Sequence, residues 1–267
     1  MDGTLVIVGA GQLGGALLRG LTRSGTVAPE QLVATDPRAD HLATLAAEHG
    51  VRTSTDNRAA VAEADVVILG VKPQVLPAVL PDVAGALRDG ALVISLAAGV
   101  TLATLEAGLP DGAPVVRVMS NTPVQVDQAM SVLAAGSAAE ERHLATTEEL
   151  LSPVGAVLRL DEHHLDAVTA LSGSGPAYVF LLAEAMVEAG VLQGLPRDVA
   201  TQLTGQTLLG AGTLLQRGDE PAATLRAAVT SPGGTTAAAL RILEQRGLRA
   251  AVLDAVDAAA RRSRELG

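Results

Sequence analysis

The chain has no cysteine, no tryptophan, one tyrosine and one phenylalanine in 267 residues. Without thiols it forms no disulfide, no thiolate nucleophile and no thiolate-bound metal, which removes secreted disulfide scaffolds and cysteine chemistry together and makes the cytoplasm the expected compartment. With aromatics at 1% there is little surface on which nucleobases would stack. Positive charge is also scarce, with 19 Lys and Arg against 29 Asp and Glu and a formal net charge of -10. A polyphosphate backbone or an anionic bilayer would meet no field of opposite sign, so neither nucleic acid nor membrane is an expected partner. No basic stretch followed by an apolar run opens the chain, and apolar stretches such as residues 91–100 fall well short of a membrane span, so a soluble protein is expected.

Apolar residues make up 48% of the chain, so a sizeable core is available and must be built from Ala, Val and Leu. The length exceeds the usual single-domain size. Short β-branched or apolar runs at 4–8, 32–35, 66–69, 92–96 and 115–119 alternate with helical stretches such as 39–49, closed by Gly50. That alternation predicts an α/β fold, a doubly wound parallel sheet of Rossmann type with helices on both faces. After a last strand at 154–160 the chain reads as helices, which places a dinucleotide-binding domain at 1–160 and an all-helical domain at 161–267. The stretch 176–191, "PAYVFLLAEAMVEAGV", is apolar nearly all round, whereas 248–264 carries a single apolar stripe and ends in arginines. A helical half of about 100 residues offers limited cover for such a helix, so a second subunit is expected to cover it, making this the dimerisation domain.

Gly9, Gly11 and Gly14, with Gln12 and Leu13 between the last two, give G-x-G-x-x-G between the first strand and the first helix. The first glycine permits the tight turn, the second lets the backbone approach a pyrophosphate, and the third lets helix pack on strand. Asp36 ends the second strand, where a carboxylate accepts hydrogen bonds from the adenosine ribose and favours NADH. Arg38 argues the other way, because it can pair with a 2′-phosphate, so NADH and NADPH both stay open as the cofactor. Val71, Lys72 and Pro73 follow the 66–69 strand at the carboxyl edge of the sheet, and Lys72 is the only lysine in the chain. Asn121 follows the 115–119 strand at the same edge, where it could orient the nicotinamide side. Far downstream, Ser231, Pro232, Gly233 and Gly234 put small residues before a helix expected from Thr235 to about 246. This can be an anion cradle at a helix N-terminus or an interhelical turn capped by threonine.

Together "GAGQLGGALLRG" at 9–20, "GVKPQ" at 70–74, "RVMSNTPVQV" at 117–126, "ALSGSGPAYVF" at 170–180 and "TSPGGTT" at 230–236 resemble pyrroline-5-carboxylate reductase over nearly the whole chain. The resemblance implies reduction of 1-pyrroline-5-carboxylate to L-proline with hydride from NADPH or NADH, the last step of proline synthesis. It also implies an N-terminal dinucleotide domain and a helical domain that builds a homodimer, in some members assembled into a larger ring. It makes Ser231, Gly233, Gly234, Thr235 and Thr236 the substrate site, with the loop on the carboxylate and Thr236 at the imine nitrogen.

Asp36-Pro37 stands where many members carry Asn-Arg, with Arg38 one place on, and Gln12-Leu13 where Asn-Met is common. A β-hydroxyacid dehydrogenase would be expected to place a catalytic lysine in its helical half, and this chain has none there. A reductase of another small cyclic imine carboxylate, or a non-catalytic nucleotide sensor, are the remaining alternatives. No metal site is expected, since His163 and His164 are neighbours at a helix start and should point apart.

Overall fold

A computed structural model describes residues 3–266. In chain order the N-terminal part runs β1 (Leu5–Val8), α1 (Gln12–Ser24), β2 (Leu32–Thr35), α2 (Ala39–His49), β3 (Arg52–Ser54), α3 (Asn57–Val61), β4 (Val66–Leu69) and α4 (Leu76–Ala84). It continues with β5 (Leu92–Ser95), α5 (Leu102–Ala107), β6 (Val115–Met119), β7 (Ala129–Ala135), α6 (Glu141–Leu151) and β8 (Gly155–Arg159). The eight strands form one sheet in the order β3-β2-β1-β4-β5-β6-β7-β8. Every pairing is parallel except β6 with β7. The first six strands have the order of a dinucleotide-binding sheet, with the reversal of winding between β1 and β4.

Why this sequence gives two covered faces is visible in β1. Leu5 and Ile7 pack with Leu17, Leu18 and Leu21 of α1, Leu42 and Leu45 of α2, and Leu150 and Leu151 of α6. Val6 and Val8 pack with Val61 of α3, Leu76, Leu80 and Val83 of α4, and Leu105 of α5. Successive side chains of a strand point to opposite faces, so a strand buried on both must be apolar throughout. The strand cores are accordingly Val, Ile, Leu and Ala, as the composition requires.

The helical part comprises α7 (Leu165–Val168), a π-helical turn at Thr169–Gly173, α8 (Gly175–Leu192), α9 (Arg197–Arg217), α10 (Ala222–Ala228), α11 (Thr235–Gln245) and α12 (Leu248–Leu266). By packing, the chain divides into one compact unit of residues 1–174 with 259–267 and a second of 175–258. Residues just beyond Asp161 are tied to the sheet. Glu162 Oε1 accepts from Arg117 Nη1 of β6 at 2.7 Å and from the Leu102 amide of α5 at 2.7 Å. Ser263 Oγ near the C-terminus donates to Asp166 Oδ1 at 2.6 Å.

In the second unit α8 and α9 pack together, with Gly190 allowing the close approach of Ala200. Among the described residues, Ala200 is the only buried hydrophobic side chain of this unit. Phe180, Leu181, Leu192 and Leu209 are each more than 60% exposed. The helical run from Glu162 to Leu192 is 31 residues long and, by length and composition alone, apolar enough to cross a membrane. It therefore exceeds the short apolar stretches expected from the sequence.

Candidate functional site

The glycine loop between β1 and α1 adopts the geometry its spacing predicts. Gly9 has φ of 92°, and its amide and that of Ala10 both donate to Thr35 O at 2.9 Å, which fixes the loop to the end of β2. A Cβ at Gly14 would lie 2.2 Å from Gly9 O, so α1 can start this close to β1 only with glycine there. At Gly11 an added Cβ would meet nothing within 4 Å. That open space lies in a cleft of about 420 Å³ lined by residues from the β1, β2, β4 and β5 ends, among them Gly9, Gly11, Gln12, Leu13, Asp36 and Arg38. The amides of Gln12 and Leu13, in the first turn of α1, have no intrahelical acceptor and face a helix start that carries no acidic residue. The residues present fit a dinucleotide, with space at Gly11 for a pyrophosphate and positive helix dipole beside it.

Val71, Lys72 and Pro73 line the same cleft from the β4 end, with Lys72 exposed at its rim. The Lys72 carbonyl accepts the Val75 and Leu76 amides at 2.9 and 3.2 Å, holding the turn into α4. Besides Pro37, the lining is completed by Gly70, Val75, Leu96 and Ala98, which were not among the site residues expected from the sequence. Their positions after β4 and β5, at the carboxyl edge, are the signal that would have found them.

At the β2 end, Asp36 has a side chain 6% exposed and Arg38 one that is 62% exposed. Arg38 Nε donates to Asp36 Oδ1 at 2.8 Å, its Nη2 to Oδ2 at 3.1 Å, and its backbone amide to Oδ1 at 3.0 Å. The guanidinium hydrogen bond holds the Asp36 carboxyl below the usual carboxylate range against the opposing effect of burial, so the pair stays ionised at neutral pH. His41, in the first turn of α2, lies with Nε2 2.7 Å from Ala10 O and links this helix to the glycine loop.

A smaller hollow of about 180 Å³ shares Gln12 and Leu13 with the cleft and is otherwise lined by Ser120, Asn121, Thr122, Val124, Gln125 and Gly173. Asn121 is there, and its side chain already serves the fold. Its Nδ2 donates to Ser172 O at 3.1 Å, in the π-helical turn, and its Oδ1 accepts the Met130 amide of β7 at 2.9 Å. A π turn widens the spacing of the carbonyls, which exposes one to an outside donor.

The second group of candidate residues lies in the helical unit. Gly233 has φ of 70°, and the Gly234 amide donates to Ser231 O at 3.1 Å, closing the turn. A Cβ on Gly234 would stand 2.4 Å from Ser231 Oγ. Gly234 is the N-cap of α11, so Thr235 and Thr236 occupy its first two helical positions and neither caps the helix with its side chain. This corrects the threonine-capped turn. The amides of Thr235, Thr236 and Ala237 have no intrahelical acceptor, and no carboxylate stands in the first turn. Thr236 is half-buried and Ser231, Gly233 and Thr235 are exposed.

Between the two groups in sequence, His163 and His164 do not point apart, because Glu162–His164 is a 3-10 turn and not an α-helix, and their ring centroids lie 3.8 Å from one another. Their acidic neighbours Glu162 and Asp166 are engaged by Arg117 and Ser263.

Steric demand at the glycine loop gives a direct prediction. Gly14→Ala forces the new methyl against Gly9 O, and because that neighbour is backbone the loop or α1 must shift. Thermal unfolding is expected to show a loss of about 1–3 kcal/mol, and nucleotide titration a weakened affinity. A variant with wild-type stability and affinity would contradict the geometry.

Two family models match the chain, one described as "NADP oxidoreductase coenzyme F420-dependent" over residues 4–99 and one as "Pyrroline-5-carboxylate reductase dimerisation" over residues 162–266. The pyrroline-5-carboxylate reductase of Synechocystis sp. is 44% identical over 263 residues, covering 98% of each chain. That of Methanosarcina acetivorans is 44% identical, covering 97% of this chain and 96% of its own. Among solved structures, a pyrroline-5-carboxylate reductase from Coxiella burnetii is similar at a TM-score of 0.95 and 36% identity, covering 100% of this chain and 99% of its own. The pyrroline carboxylate reductase of Plasmodium falciparum, solved with NADP bound, is similar at 0.89 and 28%, covering 100% and 98%. Similar to these relatives over nearly its full length, the chain belongs to the pyrroline-5-carboxylate reductase family.

Proposed function

We propose that this protein reduces 1-pyrroline-5-carboxylate to L-proline as an NAD(P)H-dependent oxidoreductase acting on a C=N bond, the final step of proline biosynthesis. The observation that carries the reading is one chain holding both a dinucleotide cleft and, 220 residues later, a carboxylate-free helix start preceded by Ser-Pro-Gly-Gly. Reduced nicotinamide, when bound, supplies the hydride that goes to the imine carbon.

The residues divide the remaining work. Gly9, Gly11 and Gly14 leave room for the pyrophosphate, which the Gln12 and Leu13 amides hold at the start of α1. Asp36 and Arg38 receive the adenosine ribose, while Val71, Lys72 and Pro73 wall the cleft toward its other end. Asn121 positions the nicotinamide side by fixing the loop after β6. The amides of Thr235 and Thr236 form the end of α11 that takes the substrate carboxylate, with Ser231, Gly233 and Gly234 shaping the turn. Thr236 offers its hydroxyl to the imine nitrogen, orienting an iminium that arrives already protonated, so no strong protein acid is required. Functionally, residues 1–160 serve the nucleotide and 161–267 serve substrate binding and dimerisation.

A homodimer through the helical half follows from the exposed apolar surface of α8, which a second copy covers in place of lipid; assembly into a ring of dimers extends the same reading. The net charge of -10 supports a cytoplasmic enzyme without nucleic-acid or membrane partners.

The test is loss of nicotinamide absorbance on mixing protein, reduced cofactor and 1-pyrroline-5-carboxylate. Turnover of that imine supports the reading. Turnover only of a different cyclic imine carboxylate would replace it with a related imine reductase, and cofactor binding without any turnover would leave a nucleotide sensor.

A further inference from the structure

We propose that Ser263 is a positioning residue for the reduction: through Asp166 and the last turn of α12 it holds two segments of the site in fixed relation. The inference rests on the reading of the chain as a C=N reductase and adds to it a residue that lines neither the cleft nor the smaller hollow.

Ser263 is the only buried side chain among the 19 residues of α12, and it is a polar one. Burying a hydroxyl gains nothing from the hydrophobic effect and costs free energy unless the group is bonded. Here it donates to Asp166 Oδ1 at 2.6 Å, the short distance of a hydroxyl on a carboxylate. One turn further on, Leu266 lies over Gly99, where an added Cβ would come within 3.5 Å of Leu266 Cβ. This end of α12 packs with the sheet, since residues 259–267 belong to the same compact unit as residues 1–174.

Both contacts fall beside the site. Gly99 directly follows Ala98, which lines the nucleotide cleft from the loop after β5. Asp166 lies in α7, which runs without a break into the π turn, where Ser172 O holds Asn121 and Gly173 lines the smaller hollow. There is no slack at Gly173, because a Cβ on it would stand 2.4 Å from Met119 Cε at the end of β6. α7 itself is four residues long with one buried side chain, Leu165, and a single turn does not hold its own orientation.

Two ties from outside supply that orientation. Glu162, just before α7, accepts the Leu102 amide at the far end of the β5–α5 loop at 2.7 Å, and Asp166 is bonded by Ser263, whose helix end also covers Gly99 at the near end of that loop. The tie at Glu162 alone is a pivot, and the second fixes the rotation about it. A shift of about 1 Å at a reacting centre costs up to about 10²-fold in rate even when its cause is distant. Gly9, Gly11 and Asp36, which line the cleft from the β1 and β2 ends, take no part in this clamp, so nucleotide binding should survive its loss.

The experiment is steady-state kinetics with 1-pyrroline-5-carboxylate and NADPH in wild type, Ser263→Ala and Ser263→Thr, with a separate NADPH fluorescence titration that gives both affinity and the number of binding sites. Ser263→Ala is expected to lower kcat per binding site about tenfold, with KM for the imine and NADPH affinity within about twofold of wild type. The nicotinamide emission of bound NADPH should fall, because its ring is held less firmly. Ser263→Thr keeps the hydroxyl and should recover both. Counting turnover per binding site removes any loss of folded protein, so a merely structural role predicts an unchanged kcat in Ser263→Ala. That result, or a failure of Ser263→Thr to recover the loss, overturns this proposal alone. Should Ser263→Ala not fold, Leu266→Gly decides the matter at a side chain 62% exposed, since it takes the Cβ away from Gly99. A kcat per site about threefold lower then supports the clamp, and an unchanged one overturns it. Wild type without turnover of the imine would overturn the functional reading and this inference with it.

Discussion

Thr236→Ala is expected to lower kcat/KM about 10²-fold with NADPH affinity unchanged, the loss typical of removing one positioned hydrogen-bonding group at a reacting centre. Several helical threonines elsewhere in the chain spend their hydroxyls on the carbonyl four residues back, as Thr201 does on Arg197 O and Thr213 on Leu209 O, both at 2.8 Å. Thr236 is the second residue of α11, so the residue four back, Pro232, lies outside the helix, and the Thr236 hydroxyl makes no such bond. Its hydroxyl is thus left for a ligand, beside amides that the helix start leaves without acceptors. Thr236→Ser keeps the hydroxyl and should restore most of the activity, which separates hydrogen bonding from packing of the methyl group. Wild-type turnover in Thr236→Ala would remove Thr236 from the site, and a parallel loss of cofactor affinity would show that the substitution disturbed more than the imine.

How far the sequence carries such an argument depends on whether the information is local. The strands 32–35, 66–69 and 115–119 are legible to the residue, because each is a short β-branched or apolar run between turn residues, and α2 is closed at Gly50 as its pattern predicts. β7 is not legible. "AMSVLAA" has one β-branched residue, and it is a strand because β6 and β8 offer ladders on both sides. The polar edge strand β3 is three residues long and has β2 as its partner. At the site the glycine loop is written in its spacing, whereas the Asp36–Arg38 fork depends on side-chain directions across Pro37 that no pattern of residue types records. Likewise, the amide of Asn121 is occupied because a π turn at Thr169–Gly173 presents the Ser172 carbonyl, and "TALSG" carries no mark of that turn.

Leu181→Asp is expected to convert the protein from a dimer or larger assembly to a monomer, read as a drop in mass by light scattering on a sizing column. Leu181 is 68% exposed on α8, flanked by Phe180 at 62% and by Val179 and Leu182. No residue of α8 is buried by the chain itself, so this helix of 18 residues has no core of its own to serve. A self-complementary interface presents each residue twice, so one substitution removes two leucines and introduces two carboxylates. Losing the burial of two leucines costs about 3–6 kcal/mol, which weakens association about 10²–10⁴-fold before the cost of desolvating the charges is counted. Because the change lies on an uncovered face and not in the sheet, the nucleotide cleft should keep its affinity while turnover falls with assembly. Lipid is the competing cover for the apolar stretch of this helical run, and it predicts a different result, in which wild type partitions into vesicles and elutes with detergent as a monomer. A wild-type protein that is dimeric in buffer, ignores vesicles and becomes monomeric on this one substitution assigns the face to a second copy; an unchanged mass in Leu181→Asp would take α8 out of the interface.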